Sequence, residues 1–111
     1  MSKGDWLGEF EQIVMLAVLR LRDDAYGMEV RREIAQRTGR EASIGAVYAT
    51  LERLQDKGFM KSREIEPETE KGRPRRAYRV TANGARSLQQ ALAAVSRLRE
   101  GLRLYPEGVE E

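Results

Sequence analysis

The sequence predicts a mainly α-helical domain with one small β-hairpin, and three observations carry that prediction. Apolar residues return at helical spacing in four stretches, one strand-like segment broken by Pro and Gly separates the third stretch from the fourth, and the fourth is longer than so small a core needs. At 111 residues, 41% hydrophobic and 34% charged, the chain has room for one domain and the composition of a folded protein with a heavily charged surface.

Between Gly8 and about Arg22, the residues Phe10, Ile13, Val14, Leu16, Ala17, Leu19 and Leu21 are dense enough for a helix buried on more than one side. Asp23 or Asp24 then offers a cap for a second helix, in which Tyr26, Val30, Ile34 and Ala35 recur until Thr38-Gly39, where glycine permits a left-handed stop. Ser43 is a natural cap for a third helix, whose Ile44, Val47, Leu51 and Leu54 line one face and which ends at Lys57-Gly58. Its opposite face carries Gly45, Tyr48, Ala49, Glu52 and Arg53, with Ala46 and Thr50 toward the edges. Such a face is small or polar and suits close approach to a large flat partner.

Phe59 to Glu66 and Arg75 to Val80 read as the strands of a hairpin, with Tyr78 and Val80 on one side and a long tip from Pro67 to Pro74. Thr81 caps a final helix from Ala82 to about Tyr105, roughly 36 Å long at ~1.5 Å per residue. Its Ala85, Leu88, Leu92, Val95 and Leu102 keep a three-four rhythm, with Leu98 beside them. Burying Leu88, Leu92, Val95 and Leu102 is worth roughly 1.5–3 kcal/mol each, so the stripe calls for a partner helix, with Leu98, the first helix and Trp6 as further interface. The sequence thus divides into a domain over 1–81, a dimerisation helix over 82–105 in the same compact unit, and a flexible acidic tail over 106–111.

The net charge of +2 is too small to imply a partner, but its distribution is uneven. Lys71, Arg73, Arg75, Arg76 and Arg79 follow one another with no acid between, directly after Glu64, Glu66, Glu68 and Glu70. Three helices, a basic hairpin and a long helix form the layout of a winged helix-turn-helix, in which the third helix enters the major groove and the wing touches flanking backbone or the minor groove.

An ordered set of residues resembles the PadR-like family of bacterial transcriptional regulators over about Leu7 to Leu88. It comprises Leu7-Gly8-Glu9-Phe10-Glu11, Ala25-Tyr26-Gly27-Met28-Glu29-Val30, Ser43 to Leu51 with Arg53-Leu54, Lys57-Gly58-Phe59, Gly72-Arg73-Pro74-Arg75-Arg76, and Tyr78-Arg79-Val80-Thr81 with Gly84. The resemblance implies a homodimer that represses, less often activates, by binding a partly palindromic operator in double-stranded DNA. Room for a single C-terminal helix places the chain with the short members, so the effector-binding properties of longer members are not transferred and any effector is of unknown identity.

Within that frame Tyr48 is the first candidate for a DNA contact, through a phosphate or sugar, against the alternative that it half-packs under the wing. Ser43 either bonds phosphate or caps its own helix, and Gly45, Ala46, Ala49 and Thr50 allow close approach to base edges. Arg53 reaches a phosphate or pairs within its own helix. In the wing, Lys71, Gly72, Arg73, Arg75 and Arg76 supply the basic tip, with Arg75 and Arg76 on opposite sides of the strand. Trp6 offers a platform for a flat ligand or an anchor against the C-terminal helix.

Cysteine and histidine are both absent, which removes thiol chemistry and the commonest general base and metal ligand, and no phosphate-binding glycine motif is present. No enzymatic activity, cofactor or metal is expected. No apolar run approaches the ~20 residues of a membrane span and no signal peptide is evident, so a cytoplasmic protein is expected. A winged-helix module that binds protein rather than DNA is the alternative reading.

Overall fold

The computed structural model describes residues 6–67, 72 and 74–104. Its elements are α1 (Glu9–Leu21), a 3₁₀ turn (Arg22–Asp24), α2 (Gly27–Thr38), α3 (Ile44–Asp56), β1 (Met60–Ile65), β2 (Arg75–Val80) and α4 (Ala82–Arg99). The order is the anticipated one. Of the expected wing, Lys71 and Arg73 lie outside the described residues, as does the expected acidic tail.

The three helical stripes meet in one core. Val14, Met15 and Val18 of α1, Val30 and Ile34 of α2, and Val47, Leu51 and Leu54 of α3 are all buried, and Phe59, Met60, Tyr78 and Leu88 close the side on which the hairpin and α4 begin. Each large side chain so buried contributes roughly 1.5–3 kcal/mol against the cost of ordering the chain. Ser43 Oγ accepts from the Ala46 N–H at 3.1 Å and so caps α3, while Gly39 stops α2 in the left-handed conformation, φ 75°.

The start of α2 differs from the sequence expectation. Neither Asp23 nor Asp24 caps it; both belong to the 3₁₀ turn, and the helix begins at Gly27 after an extended Tyr26. The reason is tertiary: the Ala25 carbonyl oxygen accepts from the Tyr78 N–H at 2.9 Å and Tyr26 bridges Ala77, so this short stretch lines the free edge of β2. The hairpin pairs antiparallel with Met60 opposite Val80, Ser62 opposite Tyr78 and Ile65 opposite Arg75.

Thr81 Oγ1 accepts from the Gly84 N–H at 3.0 Å and donates to the Gly58 carbonyl oxygen at 2.8 Å, pinning the first turn of α4 to the exit of α3. Beyond that turn α4 leaves the domain. Only Gly84 and Leu88 of α4 are buried, which moves Leu88 from the expected dimer face into the chain's own core. Leu92, Val95, Leu98 and Leu102 stay exposed. The helix closes at Arg99 rather than near Tyr105, because Gly101 adopts φ 81° and breaks the repeat; 18 residues span ~27 Å, not ~36 Å. The projecting helix gives the molecule extents of 61 × 32 × 21 Å.

A Cβ built on Gly84 would overlap the backbone carbonyl of Phe59, so a side chain there forces α4 away from the domain. The expected outcome for Gly84→Ala is a loss of roughly 1–3 kcal/mol in urea unfolding. A loss below ~0.5 kcal/mol would show that the junction yields freely.

Candidate nucleic-acid interface

α3 buries Val47, Leu51 and Leu54 and leaves Ser43, Gly45, Ala46, Tyr48, Ala49, Glu52 and Arg53 exposed, the face anticipated from its spacing. Thr50 is the exception. It is 2% exposed and its hydroxyl donates to the Ala46 carbonyl oxygen at 2.8 Å, so it faces the core and offers nothing to a partner. The physical reason is that position 50 lies next to Leu51 and Leu54 on the inner edge of the helix, where a threonine satisfies its hydroxyl on the preceding turn.

Tyr48 packs on the first turn of α2 rather than under the wing and keeps part of its surface open. Its ring lies over Gly27, where even a methyl group would overlap the aromatic carbons, yet 40% of the residue remains exposed. Packing on the first turn of α2 holds the phenol in place while leaving it open to solvent. Nearby, the Arg75 guanidinium stacks 3.6 Å from the centre of the Tyr26 ring, and on the other side of β2 Arg76 Nη1 donates to Ser62 Oγ at 3.1 Å. The two arginines therefore diverge as strand alternation requires. Gly72 is exposed.

Arg53 is held from inside the chain. Its Nε donates to Glu11 Oε2 at 3.4 Å and its Nη2 to Thr50 Oγ1 at 3.2 Å, so its ionic partner comes from α1 while its own helix supplies a hydroxyl. Lys57 Nζ reaches the same Glu11 oxygen at 2.8 Å and the Trp6 carbonyl oxygen at 3.2 Å, while Glu11 Oε1 accepts from the Gly8 N–H at 2.8 Å. The Glu11 side chain is 8% exposed. Burial alone would raise its pKa; the hydrogen bonds from Lys57, Gly8 and Arg53 and the Lys57 charge outweigh it and hold the carboxyl below its ordinary value. Trp6 itself is 68% exposed, so within one chain it does not anchor the N-terminus on α4.

Glu11, Lys57 and Tyr26 were not singled out as functional from the sequence. For Glu11 a signal was present: it falls three and four residues before Val14 and Met15, an acid set in the buried stripe of α1. Nothing comparable marks Tyr26, whose cation–π partner lies across the fold.

A three-helix core, an edge stretch and a hairpin placed beside an exposed third helix define the molecule as a winged helix-turn-helix protein. The chain belongs to the transcriptional regulator PadR-like family, whose model matches residues 15–90. A protein of Lysinibacillus sphaericus, itself uncharacterized, is 28% identical over 93% of each chain. Among solved structures, a PadR-like transcription factor of Bacteroides fragilis is similar over 82% of this chain and 84% of its own, with a TM-score of 0.68 and 23% identity. PadR of Bacillus subtilis, solved in complex with operator DNA, is similar over 92% of this chain and 53% of its own, with a TM-score of 0.62 and 20% identity. Members of this family are transcriptional regulators, and among the described residues no helix is long and apolar enough to cross a membrane.

Replacing Glu11 by Gln leaves Lys57 and Arg53 with a neutral partner. In the unfolded chain the Glu11 carboxyl titrates near ~4.3, above its folded value, so its contribution is complete above that pH and is lost as pH falls through the folded pKa. Urea unfolding of Glu11→Gln is expected to show lower stability at neutral pH and a shallower decline below about pH 5. Parallel curves for the two proteins would remove Glu11 from the acid limb.

Proposed function

We propose that this chain is a sequence-specific DNA-binding regulator that acts as a homodimer on a partly palindromic operator, in most cases as a repressor. The observation that carries the reading is the surroundings of Gly45. A Cβ built there meets nothing within 4 Å, so the fold has no use for a glycine at the second position of α3, where it costs helix stability. A bare backbone on the exposed face is explained by close approach of a partner, as in a groove.

In this reading α3 enters the major groove with Gly45, Ala46 and Ala49 toward base edges. Tyr48, braced on Gly27, donates to a phosphate oxygen, and Ser43 donates to phosphate while its oxygen still caps the helix. Lys71, Gly72, Arg73, Arg75 and Arg76 bring the wing to flanking phosphates or the minor groove. Arg53, occupied by Glu11, serves chiefly to orient the end of α3. The operator complex of the Bacillus subtilis relative supports DNA as the partner.

The second protomer is called for by α4. Leu92, Val95, Leu98 and Leu102 are exposed along it, and Leu16 and Leu19 are exposed on α1. A symmetric pairing that covers these residues removes a large apolar surface from water and sets two α3 helices one DNA turn apart, ~34–36 Å.

DNA fragments selected by the purified protein, followed by anisotropy titration, test the reading; binding no tighter than to random duplex at low salt would refute it. Gly45→Leu is expected to raise folding stability by roughly 0.5–1 kcal/mol through helix propensity while abolishing binding to the selected duplex. Retained binding would take α3 out of the groove. For the dimer, Val95→Glu with Leu98→Glu is expected to yield a folded monomer by sedimentation and circular dichroism. Wild type sedimenting as a monomer at micromolar concentration would argue for a different protein against α4.

A further inference from the structure

On the face of the hairpin turned away from the core, the register sets Lys61 directly opposite Arg79, Arg63 opposite Ala77 and Ile65 opposite Arg75, so four cations share one side of a two-stranded ribbon, of which Arg75 is stacked on Tyr26. Like charges directly opposite one another destabilise a strand pair. Here they border a cavity of about 290 Å³, lined by Lys61 to Arg63, Ala77 to Arg79, and by Arg22 and Asp23 of the 3₁₀ turn. Four cations thus surround one carboxylate. Among the described residues none of these four lining cations forms an ion pair, not even with the Asp23 that lines the same cavity.

Arg22 adds an independent observation. It is the one non-glycine described residue with positive φ, at φ 53° and ψ −117°, the geometry a type II′ turn ordinarily assigns to glycine. The turn would relax with glycine there, and arginine instead adds a fourth positive charge to the cavity. Packing does not call for it, since Arg22 is exposed.

We propose that this cavity binds an anion, namely the di- or triphosphate group of a small molecule. Four cationic residues lining a space of this size can meet several phosphate oxygens at once, and arginine forks match their geometry. The site lies toward the base of the wing, on the same ribbon face as Arg75. Two residues of strand, ~7 Å, separate the Arg63–Ala77 pair, and four, ~13 Å, the Lys61–Arg79 pair, from the Ile65–Arg75 pair next to the wing tip. Occupation would cancel the repulsion between Lys61 and Arg79 and stiffen the base of the wing, giving a phosphorylated ligand a route to DNA affinity that bypasses α4.

The test titrates the DNA-free protein with inorganic pyrophosphate at constant ionic strength, set by sodium chloride, and follows thermal unfolding. The midpoint is expected to rise by several degrees and saturate, since a ligand that binds only the folded state stabilises it. Lys61→Ala with Arg79→Ala is expected to be more stable than wild type without pyrophosphate and to lose the shift. Arg22→Gly relaxes the turn, so it is expected to fold at least as stably and to bind pyrophosphate at least tenfold more weakly. A shift no larger than chloride produces, or one that survives in both variants, overturns the proposal. Flanking DNA phosphate is the rival source: an absent pyrophosphate shift, with the double variant losing duplex affinity, would assign these cations to DNA and likewise overturn it. Gly45→Leu, impaired on DNA, is expected to keep the full pyrophosphate response, so failure of one reading is separable from failure of the other.

Discussion

The carboxylate of Glu11 is the point at which three parts of the molecule are joined. One oxygen accepts from Gly8 at the start of α1 and the other faces Lys57 and Arg53 at the end of α3, with Lys57 also holding the Trp6 carbonyl. A carboxylate with so little exposure is tolerable only when its lone pairs are used and its charge is met by cations. The consequence is positional. The end of α3 is clamped to α1, the element that also carries the exposed Leu16 and Leu19, so the orientation of the open face of α3 and that of this apolar surface share one structural support.

At its other end α3 is fixed by close approach rather than by charge. The Tyr48 ring occupies the space that a side chain at Gly27 would need, and Arg75 stacks on Tyr26, one residue earlier. Tyr26 also bridges Ala77, so the wing, the first turn of α2 and the exposed face of α3 are locked into one unit. Three glycines have three different meanings here. Gly27 and Gly84 make room for a ring and a carbonyl of the chain itself, while Gly45 makes room for nothing within it.

The clustered charges divide in a similar way. Arg20, Arg37 and Glu33 form a surface network at 2.7–3.4 Å whose solvent exposure makes it worth little to stability. The cations on the outer face of the hairpin have no such partners among the described residues, and their arrangement opposes folding rather than aiding it. Residues that cost stability and are not needed for packing, as with Gly45 on α3 and Arg22 before the edge stretch, point to a ligand more sharply than those that fit the fold.

The helical repeats, the capping Ser43 and Thr81, the left-handed stop at Gly39 and the two strands were legible in the sequence, because each depends on near neighbours along the chain. So was the exposed face of α3, since Val47, Leu51 and Leu54 leave only one side free. What the sequence by itself could not determine are features created by contacts across the chain: the delayed start of α2, drawn out by pairing of Ala25 and Tyr26 with β2; the inward turn of Thr50 and Leu88; and the capture of Arg53 by Glu11. Spacing sorts residues into faces. Which of two adjacent faces is covered, and by what, is decided only when the elements pack. The mainly helical winged architecture, first read from four apolar repeats and one hairpin, was therefore written in local pattern, whereas which charges and rings stay open to a partner was settled by tertiary contact.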